Sequence, residues 1–406
     1  MAEGSGPLAG IRVVACSTAQ AGTVPYMLMA DLGAEVIKIE APKTGDPARR
    51  AGERFGEDGE ISSFFETNNR GVKSLTINLK QPEGRAILHA LIKTADIFGQ
   101  NFRPGAAERN GFGYEELKKI NPSLVYASVS GYGPSGPHAD LPGTDAVGQA
   151  LSGVAEAYSI PGQAMRTGVV SVADESCAIL TFGGVLAALH HAKATGIGQK
   201  VETSLVGSAV RLMGWTLTTT MWRNRNPITG ARINGTRERP GIAASFDDCD
   251  GKPMVFQLDH KDWVPAMEAL GFMEVLRERG ADDLGLALVS DEKKNLILAT
   301  LGELVRTGTR EHWVEHLRKA DCVAAPINTL LEAADDPDVV ANGYVDSVSY
   351  PEIDKNLKVH GTPWRFSETP ARIGRAPKLG EHNAEILGEL GHDAAAIADL
   401  LARNVI

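Results

Sequence analysis

Residues 10–40, GIRVVACSTAQAGTVPYMLMADLGAEVIKIE, carry the reading on which the fold turns. GIRVVACS is a short β-rich run, PYMLMADLG an apolar helix stopped by Gly33, and AEVIKIE a second strand. Two strands joined through a helix lie parallel in one sheet, with the right-handed crossover that strand twist imposes. The pattern repeats downstream: PEGRAILHALIKTA at 82–95 is a helix opened by Pro82, DIFGQN a strand, YEELKKI a helix and SLVYASVSGYG a strand. The expectation is an α/β fold, a Rossmann-like parallel sheet covered by helices on both faces.

A second stretch, RTGVVSVADESCAILTFGGVLAALHHAKATGIGQKVETSLV at 166–206, sets Asp174 where a short apolar run meets the start of a helix. Ile179, Phe182, Leu186 and Leu189 recur at helical spacing, and Gly196 and Gly198 close the segment after Lys193. A carboxylate there reads either as a cap accepting first-turn N–H groups or as a nucleophile kept ionised by the helix end.

With 406 residues, 43% apolar content and 44 glycines, the chain is globular and long enough for two domains. A net charge of −10 argues against nucleic-acid binding, so a phosphate-bearing ligand would need local basic residues and helix N-termini. Cys16, Cys177, Cys249 and Cys322 show neither CxxC nor framework spacing, which suits reduced thiols in the cytoplasm. The start MAEGSGPLAGIRVV has no leader pattern, and no apolar run reads as a membrane span. Residues 1–224 are expected to form the large domain, 225–325 a smaller α+β domain, and 326–406 a C-terminal segment rejoining the first. The polar stretch NRNPITGARINGTRERPGIAASF at 224–246 reads as a linker or mobile active-site loop, and FDDCDGKPMVFQL as a hairpin turning on Asp-Gly. Helices are expected around 262–270, 292–306 and 310–319.

GYGPSG at 131–136 matches GxGxxG, but Pro134, Pro137 and Pro142 keep it from opening the helix that a dinucleotide site requires. HWVEH at 312–316 matches the HxxEH pattern, so a metal hydrolase using His312 and His316 is an alternative. The pattern supplies no third ligand, and no metal is expected. Lys38, Lys73, Lys80, Asn101, Arg103 and Arg109 fall at strand ends or adjoining loops, where parallel sheets gather ligand phosphates.

From end to end the chain also resembles the class III CoA-transferase family, of the formyl-CoA transferase or CaiB/BaiF type. The resemblance is carried by PLAGIRVV, ADLGAEVIKIEAP, NNRGVKSLTINLK, NFRPGAAERNGFGYEELKKINPSLVYASVSGYGPSGP, DAVGQALSG, ATGIGQKVETSL, ADDPDVVANGYV and APKLGEHNAEIL. It implies an acyl-CoA and a carboxylic acid as substrates, with no cofactor beyond coenzyme A. It implies Asp174 as catalytic nucleophile, Gln20 beside the thioester, and CoA contacts at Ile77, Lys80, Asn101, Phe102 and Arg109. Asp145 precedes the QA-SG segment as a substrate-contacting or supporting residue. Ala41 stands where some members carry a basic residue, and Pro142 and Thr144 replace a Lys and a Tyr of formyl-CoA transferase. NGTRERPG at 234–241 stands in place of that enzyme's Gly-rich tetrad and is a candidate closing loop. Racemases of this fold read GHD where this chain reads GTD at 143–145, and a threonine is no base at neutral pH. Transfer is therefore expected over racemisation, with succinyl-CoA one candidate donor. Arg237 and Arg239 are candidates for a second carboxylate of the acid. The family architecture further implies an interlocked homodimer, or a heteromer with a homologous subunit.

Overall fold

The computed structural model describes residues 6–57, 59, 61–159, 168, 170–226 and 232–406. Six strands form one sheet: β1 (Arg12–Cys16), β2 (Glu35–Glu40), β3 (Lys73–Thr76), β4 (Ile97–Gln100), β5 (Val125–Ser130) and β6 (Lys200–Ser204). Their order is β3-β2-β1-β4-β5-β6, and every neighbouring pair is parallel. Alternation along the central strand feeds two cores. Val14 and Cys16 enter one with α2 (Pro82–Ile92) and α3 (Tyr114–Ile120). Val13 and Ala15 enter the other with α1 (Val24–Asp31). The chain order reverses between β1 and β4, opening a crevice at their carboxyl ends, the place where such sheets bind ligands.

Two further helices set the site. α4 (Asp145–Ser152) follows the 131–144 segment, whose Gly133 and Gly136 take φ of 106° and 108°, so GYGPSG opens no helix. α5 (Val172–Thr195) ends at Gly196 with φ 74°; Phe182 and Leu189 are buried, whereas Ile179 is exposed. The apolar lead-in to α5 lies partly outside the described residues, at 166, 167 and 169. Contrary to the expectation from composition, α5 is long and apolar enough to cross a membrane, with mean hydropathy 1.5 over its best window. Its apolarity comes from Ala, Gly and Val as much as from Leu, which is why no bulky apolar run announces it. Here it packs against α1, α4, β5, β6 and α6 (Leu205–Leu212). It is followed by α7 (Gly214–Arg223), which buries none of its residues.

The chain divides into two compact units, Met1–Ala157, Met165–Arg223 and Val340–Ile406 forming one, Tyr158–Ala164 and Asn224–Val339 the other. In the second, β7 (Arg232–Gly235), β8 (Pro240–Asp247), β9 (Pro253–Leu258) and β10 (Val323–Pro326) form an antiparallel sheet in the order β10-β9-β8-β7. α8 (Trp263–Ala269), α9 (Asp291–Val305) and α10 (Arg310–Lys319) pack on it, their Trp263, Ile297, Leu301 and Leu317 entering the same core as Ile242 and Phe256. Residues 232–246 are therefore mostly strand, because Ile242 and Ala244 alternate into the core beneath a polar composition; 227–231 lie outside the described residues. The return to the first unit comes at Val340 rather than at 326. β10 pairs with β9, and α11 (Leu330–Asp335) is held by Glu332 on Arg310 at 2.5 Å. In the first unit, β11 (Val345–Tyr350) and β12 (Lys355–His360) form a hairpin, and α12 (Asn383–Glu389) and α13 (Ala394–Ala402) complete the core shared with α2.

Candidate active site

Asp174 is not the cap of α5. The N-cap is Ser171, whose side chain makes no capping bond, and Asp174 lies three residues inside the helix. Capping comes from outside. Asp145, first residue of α4, accepts the N–H groups of Ala173 at 2.8 Å and Asp174 at 3.1 Å through Oδ1. Its other oxygen accepts from Gln149 Nε2 at 2.5 Å. α4 comes this close because residue 148 is glycine: a Cβ there would stand 2.5 Å from that of Ala173.

The Asp174 carboxyl is left half-buried, with no hydrogen bond to it from the described residues. Burial first, then the negative charges of Asp145 and Glu175, push it up to about 6. The helix end therefore does not hold it strongly ionised. The N–H groups that would do so are already spent on Asp145, whose charge adds to the repulsion. Those same N–H groups are also unavailable as an oxyanion hole. Gln20, buried ahead of α1, donates to Glu175 Oε1 at 2.5 Å, which ties it to the residue following Asp174.

The crevice at the β1–β4 switch point encloses about 330 Å³. Ile77, Lys80, Asn101 and Phe102 line it, together with Ser17 and Thr18. Asn101 and Thr18 bond reciprocally across the gap, Thr18 N to Oδ1 at 3.0 Å and Nδ2 to Thr18 O at 2.8 Å. Gly22 leaves room for this, since a Cβ there would meet the Asn101 amide at 2.5 Å. Arg109 is the exposed last residue of a short helix, Ala106–Arg109, and does not line the crevice; Asn110 and Phe112 do.

Two cations read as phosphate-gathering are committed elsewhere. Lys38 is buried, donating to Ser17 O at 2.8 Å and pairing with Asp46 at 2.8 Å. Lys73 pairs with Glu35 at 2.8 Å and Glu385 at 2.6 Å. A lysine at a strand end looks the same in sequence whether or not an acid is folded against it. Arg237 and Arg239 belong to the second unit, in the turn joining β7 and β8, where Thr236 and Arg239 exchange backbone bonds. The 234–241 segment is that hairpin's tip. On α10, Glu315 pairs with Lys319 at 2.7 Å, and His316 Nδ1 lies 2.8 Å from the His312 carbonyl. Among the described residues no three His, Cys, Asp or Glu side chains group to hold a metal. Gln149 and Glu175 were not singled out in the sequence, although the Asp145–Gln149 spacing of i,i+4 puts both on one helix face.

Residues 8–383 match the family described as CoA-transferase family III. The chain is 32% identical over 411 residues to the succinyl-CoA–L-malate CoA-transferase beta subunit of Chloroflexus aurantiacus, covering 98% of each protein. It is 32% identical over 410 residues to the succinate–glutarate CoA-transferase of Agrobacterium fabrum, covering 95% of this chain and 96% of that one. The crystal structure of a CAIB/BAIF family protein from Brucella suis superposes with a TM-score of 0.82 at 28% identity, over 95% of this chain and 100% of that one. Matched through both units and into its C-terminal helices, this chain is a CoA-transferase and belongs to CoA-transferase family III.

Proposed function

We propose that this enzyme moves CoA from an acyl-CoA to a carboxylic acid by covalent catalysis on Asp174. A carboxylate oxygen of Asp174 attacks the donor thioester, forming an aspartyl-acyl anhydride and releasing CoA thiolate. The thiolate attacks the aspartyl carbonyl, giving the aspartyl-CoA thioester and freeing the donor acid. The acceptor carboxylate then attacks that thioester, and returning thiolate takes the acyl group from the new anhydride, regenerating Asp174. The observation that carries the reading is the uncommitted carboxyl of Asp174, half-buried and raised to about 6. A carboxylate so raised is more basic than an ordinary one, and so a better nucleophile once ionised. Gln20 beside Glu175 is our candidate for stabilising charge on the thioester oxygen.

Only the ionised form attacks, so falling pH removes it. The acid limb of kcat/KM is expected near pH 6, with about a tenfold loss for each further unit down. A limb near the ordinary carboxylate range, about 4, would show that Asp174 is not perturbed during turnover.

We assign the CoA moiety to the β1–β4 crevice and a dicarboxylic acid such as succinate to the acyl or acceptor role. The relatives named above act on succinate, malate and glutarate by their names. Arg237 and Arg239 are our candidates for the second carboxylate. Two Michaelis constants separate these assignments: Lys80→Ala should raise KM for acyl-CoA, and Arg237→Gln with Arg239→Gln KM for the acid, each about tenfold. Unchanged values refute the corresponding assignment.

We also propose a homodimer in the cytoplasm. α7 exposes Trp215 by 69% and Trp222 by 85%, an apolar surface that a second copy would cover. Light scattering on the purified chain should give twice the monomer mass; a monomer overturns the assignment.

A further inference from the structure

The segment that carries Asp174 is held by one neighbouring helix at two points. Asp145 takes the first-turn N–H groups of Ala173 and Asp174, at 2.8 and 3.1 Å. Gln149, one turn along α4 and only 2% exposed, takes the N–H of Gly168 at 2.9 Å through Oε1. Its Nε2 donates to Asp145 at 2.5 Å and lies 3.4 Å from the carbonyl of Val170. Both the lead-in to α5 and its first turn are thus fastened to α4, while Ser171, at the N-cap, makes no side-chain capping bond.

We propose that Asp145 and Gln149 form a clamp that positions Asp174 for attack, Asp145 acting as a positioning residue rather than a substrate contact. This rests on the nucleophile reading of Asp174. The clamp fixes the backbone on either side of the nucleophile without bonding its carboxylate. It also consumes the donors at the helix end, so the carboxylate is not drawn into a stabilising cap that would blunt its attack. Asp145 from α4 and Glu175 on the same helix are the charged groups acting on Asp174, with the Cys177 thiol one turn on. α1 and α6, which also pack against α5, add no charge to these.

The test compares Asp145→Ala, Asp145→Asn and Gln149→Leu by kcat, KM, the pH profile and thermal melting. Asparagine keeps an acceptor for the two N–H groups but removes the charge and sets an NH2 against Gln149 Nε2, so the bond between the two clamp residues is lost. Asp145→Ala should lower kcat by about 100-fold through misplacement of the nucleophile. KM for acyl-CoA should stay within about twofold of wild type. Asp145→Asn should recover part of that kcat, because the bonds to the two N–H groups remain, and its acid limb should move down because a like charge has gone. Gln149→Leu should lower kcat without moving KM. Wild-type kcat and an unmoved acid limb in both Asp145 variants overturn the clamp, and so does a loss confined to KM. Should Asp145→Ala fail to fold, Gln149→Leu decides: wild-type kcat there overturns the clamp. Asp174→Ala separates the two ideas: full activity there removes the nucleophile reading itself, whereas an inactive Asp174→Ala beside normal Asp145 variants removes the clamp alone.

Discussion

Asp174→Ala is expected to lower kcat/KM by about 10⁴-fold or more, and to abolish the covalent adduct that acyl-CoA leaves on the wild-type chain. The size of the loss follows from the chemistry. Without a nucleophile the two acids and CoA would have to exchange directly, and no neighbouring group replaces the missing oxygen. Glu175, the nearest carboxylate in sequence, is engaged by Gln20, and Asp145 by three donors. Intact-mass measurement after incubation with acyl-CoA, with and without hydroxylamine, should give an adduct and then a hydroxamate at Asp174 in the wild type only. Full turnover in Asp174→Ala would refute the mechanism outright. Asp174→Asn should be equally inactive yet melt higher than wild type at pH 8. The sign follows from linkage: a carboxyl raised from its unfolded value to about 6 favours folding while protonated, and that contribution is lost as pH rises through 6. The neutral amide avoids the loss, so its advantage should shrink below pH 5. Such a gain marks a site whose activity is kept at the expense of stability.

The central strands were legible because a parallel strand buried on both faces must be apolar throughout, as VVAC and VIKI are. β6 was not assigned: KVETS is an edge strand with no fully buried residue, and its pairing with β5 is not written in its own composition. The end of β8 was legible as one arm of the Asp-Gly hairpin, which pairs Phe246 with Met254 and Asp247 with Pro253, but β7 and the start of β8 were masked by the arginines and glycines around their turn. In the site, the resemblance named Asp174 and Gln20, and four of its five expected CoA contacts line the crevice, but local reasoning reversed the capping. Asp174 stands where a cap is expected, and only the fold brings Asp145, 29 positions earlier, onto those N–H groups. The fate of Lys38 was likewise a tertiary matter, decided by the loop that returns Asp46 to it.

Arg70→Ala is expected to destabilise the first unit by about 3–5 kcal/mol, the cost of leaving one member of a buried ion pair alone. Arg70 and Asp31 have side chains exposed by 2% and 0%, joined at 2.6 Å through Nη2 and at 3.2 Å through Nε. Burial pushes the Asp31 carboxyl up while the Arg70 guanidinium pulls against it, so removing the arginine leaves a carboxyl that must take a proton or stay charged without a partner. Arg70 also reaches the C-terminal segment, donating to the His360 carbonyl and to His360 Nδ1 at 3.0 Å. An arginine offers only donors, so Nδ1 accepts and the ring's proton sits on Nε2. Burial, then the Arg70 charge, lowers the His360 pKa below 6.5. The neutral ring's contribution is therefore complete above pH 6.5 and is lost as pH falls from there through the lower folded value. One residue thus joins α1 to the β12 end of a segment 290 positions away. Thermal melting should fall by on the order of 10 °C in Arg70→Ala. Arg70→Met combined with Asp31→Leu should regain more than half of that, because two apolar side chains leave no buried charge. A double variant as unstable as Arg70→Ala would show that the bonds to His360, rather than the ion pair, hold the two segments together.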